Sequence, residues 1–564
     1  MPKVIGIGKQ RYDRIIENNL FYIDKTMFIK EWWENQDDVT LITRPRRFGK
    51  TLNMDMLKCF FSNEYKDRGD LFEGLDIWKE EKYREIQGTY PVIFLSFAKI
   101  KQNTYKDAIA GIKRIICDEI QKYIFLKDWD GLADAEKNNL KNITYCMDDV
   151  TAQEAIASLS NYLSRYYGKN VIILLDEYDT PMQEAYVNGY WEELVSFTRS
   201  FFNATFKSNL YLERAVITGI TRVSKESIFS DLNNLKVITV ESDEYSDTFG
   251  FSEEEVFLAL DDFNLSDKKQ IVKEWYDGFT FGSQRDIYNP WSIINFLENK
   301  KIDTYWADTS SNSLINHLIK KSVPEIKELM ELLLKRESIE VTFDDQIVFN
   351  QLDKSKNAIW SLLVASGYLK IDDIEYKGLL LKPWYHISIT NLETVSMFAN
   401  MFAGWFENPD ARYNDFIKSL LNNDLKGMNY YMNKVALATF SYFDTGKNPS
   451  ETLEPERFYH GFVLGLIVEL SDRYEVKSNR ESGFGRYDVM ITPLDKSEKA
   501  IVLEFKVHEN DEEKTLEETV SSALAQIDEK KYDTELINAG VKKENIRHYG
   551  FAFEGKKVLI GTDE

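Results

Sequence analysis

The chain has 564 residues, and its 70 basic and 93 acidic side chains give a formal net charge of −23. Its length exceeds what one hydrophobic core supports and indicates roughly three or four domains, while 43% hydrophobic residues argue against a disordered chain. The charge argues against nonspecific coating of nucleic acid, because such binding depends on neutralising phosphates with Lys and Arg, but it is compatible with a local basic groove.

The sequence also indicates a reducing compartment. The longest purely aliphatic run, residues 171–175, is far shorter than the roughly 20 residues of a membrane-spanning helix. The first 19 residues lack the apolar core of a secretory signal. The cysteines Cys59, Cys117 and Cys146 have neither metal-site spacing nor an even number. We therefore predict a cytoplasmic protein without a membrane partner.

The first half of the chain alternates short apolar runs with amphipathic stretches. The apolar runs are VTLIT (39–43), PVIFLSF (91–97), NVIILLD (170–176) and RAVITGI (214–220). Continuous apolar strands that are separated by helical segments are typical of a parallel sheet covered on both faces. An α/β fold with a parallel sheet is the prediction for this region.

A phosphate-binding motif follows the first of these strands. The pattern G-x-x-x-x-G-K-[ST] places backbone N–H groups and a helix N-terminus around phosphates. Its second half is intact as Gly49-Lys50-Thr51, but Arg44 occupies the position of the first glycine. A non-glycine residue is strained at positive φ, so Arg44 is a departure from the pattern. The predicted nucleotide-binding residues of the loop are Arg46, Arg47, Phe48, Gly49, Lys50 and Thr51.

Two later strand ends supply further candidates for the same site. Asp176 and Glu177 end the third strand, where Asp176, with the Thr51 hydroxyl, would hold Mg²⁺ and Glu177 would polarise the attacking water. Arg222 follows the fourth strand and could contact the γ-phosphate. ATP and Mg²⁺ are the predicted cofactors. A structural GKT turn with an exposed acidic pair at a strand end is the alternative.

From Gly250 to about residue 440 the pattern is mainly helical. A helix over 357–371 followed by a strand–turn–strand over 378–390 is the order expected of a winged helix. A helical lid of another kind is equally compatible with this order.

The last part of the chain changes pattern again. A helix over 457–470 precedes three strands over 474–482, 486–493 and 499–507. A polar helix over 516–532 and a final strand over 548–561 complete the predicted module.

This module places candidate nuclease residues on neighbouring strands. Asp488 lies on one strand, and Glu504 and Lys506 project from the same face of the next because they are two residues apart. Two carboxylates can hold Mg²⁺ for phosphodiester hydrolysis while the ammonium orients water. This arrangement resembles that of the PD-(D/E)XK nuclease superfamily, in which Gln526 on the following helix would fit an auxiliary catalytic position, and Tyr532 could accompany it. A further metal ligand could come from Glu469, His460 or Glu481.

Several motifs in order resemble the bacterial AAA-ATPase-like family over roughly residues 3 to 300. They are YIDKTMFI (22–29), ITRPRRFGKT (42–51), LLDEYDTP (174–181), TGITRVS (218–224), FGFSEEEV (249–256), WYDGFTFG (275–282) and IYNPWSI (287–293). In that family RPRRFGKT is the normal form of the loop. The resemblance implies a P-loop ATPase related to the signalling and archaeal groups, in which a winged-helix domain commonly follows the core.

The segment from roughly 455 to 564 is similar to the PD-(D/E)XK nuclease superfamily, with a restriction-endonuclease-like fold. Its motif has the form D-x(15)-E-x-K, from Asp488 to Lys506, and lacks the proline before the aspartate. AAA-ATPase-like proteins often carry such a C-terminal domain.

We therefore predict a P-loop ATPase domain over 1–249, a helical and winged-helix-like region over 250–440 and a nuclease-like domain over 441–564. The predicted function is ATP hydrolysis coupled to Mg²⁺-dependent action on nucleic acid, with DNA favoured over RNA and a homo-oligomer allowed. The rival hypotheses are a nucleotide-dependent switch or scaffold that binds nucleic acid without cutting, and an ATPase fold that has lost its P-loop function.

Overall fold

The structure is a computed structural model of the chain, and its residues group into two compact units. The first comprises Met1–Leu318 and Ser338–Thr394, and the second comprises Ile319–Glu337 and Val395–Glu564. The described residues are 2–221, 228–229, 232–306, 315, 318, 324–334, 336–343, 357–398, 413–439, 463, 467, 470, 473–482, 485–508, 515–554 and 557–563.

A five-stranded parallel sheet forms the centre of the first unit, in the order β2-β3-β4-β1-β5. Its strands are β1 (Val39–Thr43), β2 (Val92–Ser96), β3 (Val171–Asp176), β4 (Leu212–Gly219) and β5 (Leu235–Ile238). The predicted parallel sheet is confirmed, and β5 is a strand that the sequence did not indicate. Because all strands run the same way, Thr43, Asp176 and Gly219 meet at one edge.

Helices cover this sheet and continue beyond it. In chain order they are α1 (Tyr12–Glu17), α2 (Met27–Asn35), α3 (Lys50–Phe61), α4 (Glu81–Ile86), α5 (Tyr105–Gln121), α6 (Asp134–Asn142), α7 (Asp149–Tyr167), α8 (Thr180–Asn188), α9 (Trp191–Phe202), α10 (Glu253–Asp262), α11 (Lys269–Tyr276) and α12 (Pro290–Asn299). Local signals set their ends. The Asp148 side chain accepts a hydrogen bond from the Thr151 amide at the start of α7, and Gly168 ends that helix at φ 70°.

Two small antiparallel sheets complete the described part of the first unit. One has the order β6-β8-β7 and the other β10-β11-β9. The strands are β6 (Phe251–Ser252), β7 (Phe279–Phe281), β8 (Gln284–Tyr288), β9 (Ile339–Val341), β10 (Leu369–Lys377) and β11 (Lys382–Ile389). The sequence did not indicate β6, β7 or β8.

The helix and hairpin that the winged-helix hypothesis requires are present, with shifted boundaries. Helix α13 (Pro324–Leu334) belongs to the second unit, and the next helix, α14, spans Ala358–Ala365 and ends earlier than the predicted residue 371. Gly367 has φ 81°, which stops the helix, and the alternating residues of β10 begin two positions later. The turn therefore lies at 378–381, where a strand was predicted.

The second unit contains a five-stranded mixed sheet in the order β12-β13-β14-β15-β16. Its strands are β12 (Tyr474–Ser482), β13 (Gly485–Pro493), β14 (Ala500–Val507), β15 (Ile546–Glu554) and β16 (Lys557–Thr562). β14 and β15 are parallel, and the other neighbouring pairs are antiparallel. The prediction of one final strand over 548–561 is wrong, because β15 and β16 pair as a hairpin with Glu554 opposite Lys557.

The described helices of the second unit are α13 (Pro324–Leu334), α15 (Tyr413–Leu421), α16 (Leu425–Thr439), α17 (Leu516–Lys530) and α18 (Asp533–Asn538). Helices α15 and α16 pack on one face of the sheet, and α17 and α18 pack on the other. One core includes Phe505, Phe551 and residues of α15 and α16, and the other includes Met490 and Ile527. The predicted helix over 457–470 falls mostly outside the described residues. Within the described ranges of the whole chain, no helix combines the length and apolarity needed to cross a bilayer.

An ion triplet ties the end of the chain to this unit. His548, which is buried, contacts Asp533 Oδ1 through Nε2 at 2.7 Å and Asp563 Oδ2 through Nδ1 at 2.6 Å. Burial disfavours the imidazolium, but the hydrogen bonds and charges of the two carboxylates outweigh burial and raise the pKa of His548 from 6.5 to about 9. The charged imidazolium therefore stabilises the folded unit.

This triplet predicts a pH-dependent stability. Because the folded pKa is the higher one, the stabilisation is complete below pH 6.5 and is lost as the pH rises through about 9. Asp563 is 39% exposed, so solvent screens part of the effect, and we expect about 2 kcal/mol. Calorimetry of wild type and His548→Gln between pH 6 and 10 should show a loss that the variant lacks. Parallel curves for the two proteins would contradict the assignment.

Candidate nucleotide and nuclease sites

The loop between β1 and α3 has a backbone that explains its unusual sequence. Its positive φ angles fall at Arg47 (66°) and Gly49 (80°), whereas Arg44 is not among the residues with positive φ. The position of the missing glycine therefore does not require left-handed backbone. The strain expected at Arg44 is absent, and Arg47 adopts the uncommon conformation instead.

Arg44 fastens the start of this loop to the sheet. Its amide donates to the Gly219 carbonyl at 3.1 Å, and its buried guanidinium donates to Thr43 O at 3.0 Å and Thr239 O at 2.7 Å. The guanidinium also lies over the Phe281 ring at 4.6 Å. Burial lowers the pKa of Arg44 to about 9, although the charge of Glu31 opposes this shift. The hydrogen bonds of Arg44 therefore fix the start of the loop in place.

Lys50 lies inside the loop. Its Nζ donates to the carbonyl oxygens of Arg44 at 2.9 Å and Pro45 at 2.7 Å. Burial lowers the pKa of Lys50, and the charges of Glu177, Asp179 and Asp176 oppose this shift. The ammonium is thus held by loop carbonyls with acidic residues near it.

Thr51 and Asp176 meet directly at the edge of the sheet. The Thr51 hydroxyl donates to Asp176 Oδ2 at 2.9 Å, and the Thr218 hydroxyl donates to Oδ1 at 2.7 Å. Burial raises the pKa of Asp176, and the hydrogen bonds from Thr218 and Thr51 oppose this shift. A hydroxyl and a carboxylate are hard oxygen donors, so this pair fits Mg²⁺ by its chemistry.

Glu177 follows Asp176 in a strained conformation. Its φ is 51°, which is uncommon for a non-glycine residue, and its carboxylate accepts a hydrogen bond from the Thr180 hydroxyl at 3.1 Å. Backbone strain of this kind is often found at functional positions.

A cavity of about 380 Å³ lies beside the phosphate loop and Glu177. It is lined by loop residues Arg46 to Thr51, by Glu177, and by apolar residues of the N-terminal segment and α12. The apolar lining includes Ile5, Phe21, Tyr22, Trp291 and Ile294. The cavity therefore combines polar residues of the kind that bind phosphate with an extended apolar surface.

The bulky loop residues have partners outside the phosphate-binding backbone. The Arg47 guanidinium lies 4.3 Å from the centre of the Trp291 ring, and Phe48 packs at 4.7 Å against Phe279. The carbonyl of Arg46 accepts hydrogen bonds from Trp306 Nε1 at 3.1 Å and Asn289 Nδ2 at 3.4 Å. The segments that carry the WYDGFTFG and IYNPWSI motifs therefore pack against the phosphate loop.

In the second unit, β13, β14 and α17 bring the nuclease candidates together. The Asp488 carboxylate accepts a hydrogen bond from the Phe505 amide at 2.8 Å, so it lies beside the residue that follows Glu504. Val489 pairs with Leu503, which places the two carboxylate positions next to each other on antiparallel strands. Oxygen donors from these two residues fit a hard divalent cation.

Helix α17 supplies polar partners one turn apart. Gln526 Nε2 donates to Glu504 Oε1 and to the Tyr532 hydroxyl, the latter at 3.3 Å, and Lys506 Nζ donates to Ser522 Oγ at 3.1 Å. Burial raises the pKa of Tyr532 to about 12, although the Gln526 hydrogen bond opposes this shift. The structure thus brings the four predicted catalytic residues of this unit into one cluster.

Two regions of the chain match models of known protein families. Residues 6–229 match the family model described as predicted AAA-ATPase, and residues 454–563 match that of the PD-(D/E)XK nuclease superfamily. The chain carries an AAA-ATPase-like domain and a PD-(D/E)XK nuclease-superfamily domain. Both resemblances expected from the motifs are confirmed.

The chain is also similar to a curated protein. It is an uncharacterized protein of the vnfD 5′ region of Azotobacter chroococcum mcd 1, 25% identical over 484 residues, which are 83% of this chain and 85% of the relative. A similar solved structure is a Signal Transduction ATPase with Numerous Domains (STAND) protein with a tetratricopeptide repeat sensor from Pyrococcus horikoshii. Its identity is 13% and its TM-score 0.23; the match covers 83% of this chain and about half (54%) of that protein.

Some predicted site residues lie outside the described part of the structure, and one buried acidic residue was not predicted. Arg222 falls outside the described residues, as do His460 and Glu469, and the Glu481 side chain is likewise not described. Asp179 was not predicted, although it is buried and its charge, like that of Asp176, acts on Lys50. The only sequence signal for Asp179 was its place in LLDEYDTP, two residues after Glu177.

Proposed function

We propose that this protein binds and hydrolyses ATP in its AAA-ATPase-like domain and uses nucleotide state to control a Mg²⁺-dependent nuclease-like domain that acts on nucleic acid. DNA is the proposed substrate in preference to RNA. A cytoplasmic setting and a homo-oligomeric state belong to the same proposal.

The hydrogen bond between Thr51 and Asp176 is the observation that carries the ATPase proposal. It joins the residue after Lys50 to the end of β3, within reach of a cavity that also holds Glu177. Mg²⁺ bound by these two side chains would neutralise charge on the phosphate oxygens. Lys50 would bind the outer phosphates, and Glu177 would accept a proton from the attacking water.

The apolar part of the cavity supports a nucleotide over inorganic phosphate alone. Phe21, Tyr22 and Trp291 offer aromatic surface to a base, whereas phosphate needs only the loop. The cavity volume of about 380 Å³ is also within the range of pockets that enclose a small organic ligand.

The cluster in the second unit supports the nuclease proposal. Asp488 and Glu504 would hold Mg²⁺, which would activate water and stabilise the charge that develops on a phosphodiester. Lys506 would orient the water, and Gln526 fixes one oxygen of the Glu504 carboxylate. The alternative is a scaffold that binds without cutting. The acidic run ENDEEKTLEE (509–518) follows Lys506 closely, and its negative charge opposes the approach of a polyanion in both cases.

Glu177→Gln tests the proposed hydrolysis. The variant retains the Thr51–Asp176 pair but loses the carboxylate base, so we expect ATP to bind as in wild type and turnover to fall by about 10²-fold or more. Steady-state hydrolysis and binding of a nonhydrolysable analogue measure the two effects. Glu192→Gln, on the exposed side of α9, is the matched control. Unchanged turnover in Glu177→Gln would contradict the assigned role.

A further inference from the structure

Asp179 gathers donors from the turn that follows β4. Its carboxylate is almost completely buried, and Oδ2 accepts hydrogen bonds from the amides of Ile220 at 3.0 Å and Thr221 at 2.9 Å. The Thr221 hydroxyl donates to the same oxygen at 2.8 Å. One buried oxygen therefore fixes both the backbone and a side chain of this turn.

Tyr178 holds the same turn from the other side. Its hydroxyl donates to the Thr221 carbonyl at 2.8 Å, and its amide donates to the Thr218 carbonyl at 3.0 Å. A Cβ at Gly219 would lie 2.6 Å from Tyr178 Cε1 and 2.8 Å from Asp179 Oδ1. Residue 219 therefore has no room for a side chain while Tyr178 and Asp179 are closed on the turn.

The turn continues directly into the predicted nucleotide site. Thr218 donates to Asp176 Oδ1 at 2.7 Å, and the Gly219 carbonyl accepts the amide of Arg44. A second link runs through Gln183, which donates to Asp179 Oδ2 at 3.1 Å and accepts from Arg46 at 3.4 Å. Displacement of the turn would therefore move both Asp176 and the phosphate loop.

We propose that Asp179 is a positioning residue that fixes the turn at Ile220 and Thr221 and thereby holds Asp176 in the geometry needed for Mg²⁺–ATP and its hydrolysis. This inference rests on the proposed ATPase function. Burial of a carboxylate raises the free energy of the folded state unless hydrogen-bond donors compensate for the lost water. Here those donors belong to the turn beside the site.

Asp179→Ala removes the acceptor and should release the turn. We expect the rate of ATP hydrolysis per active site to fall by about 10²-fold, because small displacements of reacting groups have effects of that size. The affinity for a nonhydrolysable ATP analogue without Mg²⁺ should stay within about threefold of wild type. The gain in affinity on adding Mg²⁺ should shrink about tenfold, because Asp176 is displaced.

Asp179→Asn is the conservative variant and retains an oxygen at the same distance. We expect it to recover most of the Mg²⁺-dependent gain in affinity and of the hydrolysis rate. Gly219→Ala is a second route to the same defect, because it retains the carboxylate but crowds it. Glu119→Ala is the control: Glu119 is also buried and accepts a backbone hydrogen bond, but its donor, the Phe94 amide at 3.2 Å, belongs to β2 and not to the turn after β4.

The outcomes separate this inference from the proposed function. If wild type gains affinity with Mg²⁺ but hydrolyses no ATP, the ATPase proposal fails and the affinity measurements still decide the role of Asp179. If Asp179→Ala lowers only the melting temperature and the number of titratable sites, with the Mg²⁺ gain and the rate per site intact, Asp179 is merely structural. The same pattern for Glu119→Ala and Asp179→Ala, or no Mg²⁺ gain in wild type, would also overturn the inference.

Discussion

Lys50→Ala should lower ATP hydrolysis by at least about 10²- to 10³-fold and weaken ATP binding. The Lys50 ammonium is held within the loop by two carbonyl oxygens and lies near three acidic residues. Phosphate oxygens would offer a stronger, charged acceptor than these carbonyls, so we expect Nζ to move to them when nucleotide binds. Alanine leaves only backbone donors, which cannot replace that charge.

The matched control is Lys58→Ala. Lys58 lies two turns further along α3 and pairs with Glu64 at 3.6 Å, away from the cavity-lining residues. Its replacement should leave hydrolysis within about twofold of wild type, since a partly exposed ion pair outside the site contributes little. Hydrolysis, analogue binding and melting temperature are measured on both variants. Equal hydrolysis rates for wild type and Lys50→Ala would show that this loop is not the catalytic site.

The sequence predicted the elements whose signals are local. The four predicted strands of the first unit are continuous apolar runs, and all four occur within one or two residues of their predicted positions. β5 was missed because Leu235–Ile238 is short and only half-buried at three of its four residues. The hairpin of β10 and β11 was predicted with its turn misplaced, because three leucines at 379–381 suggested a strand where the structure has an exposed turn.

The candidate site residues also differ in whether their roles follow from local sequence. The loop, the Asp176–Glu177 pair and the D–E-x-K spacing could be read from sequence, because each combines chemistry with a local element. The function of Arg44 could not, since its acceptors Thr239, Glu244 and Tyr245 lie about 200 residues away along the chain. Asp179 was missed for the same reason, because its donors Ile220 and Thr221 lie in the turn after β4, about 40 residues away along the chain.

Asp488→Asn and Glu504→Gln should abolish cleavage of nucleic acid while preserving the fold. Each replacement retains an oxygen for the existing hydrogen bond, from the Phe505 amide to residue 488 and from Gln526 to residue 504. Each removes one negative charge from the proposed Mg²⁺ site, so cleavage should fall by at least about 10²-fold. Asp495→Asn, in the exposed loop after β13, is the matched control.

Binding of DNA distinguishes a metal site from a phosphate contact. Removal of a carboxylate near a polyanion should leave affinity unchanged or increase it. Lys506→Ala should instead lose both cleavage and affinity for DNA. The slope of log affinity against log salt concentration should fall by about one, because one phosphate contact is lost. Lys499→Ala is its control, because Lys499 is a partly exposed lysine just before β14 that donates to the Glu544 carbonyl at 2.6 Å.

The assay compares single- and double-stranded DNA and RNA, with Mg²⁺ or Mn²⁺, in the presence and absence of ATP. A scaffold predicts no metal-dependent cleavage in any version and little change in binding for Asp488→Asn. If wild type is inactive under all of these conditions, the scaffold becomes the better account of the second unit. If wild type cuts and Asp488→Asn cuts equally fast, the reaction takes place elsewhere, because a carboxylate that holds the catalytic cation cannot lose its charge without slowing the step that depends on it.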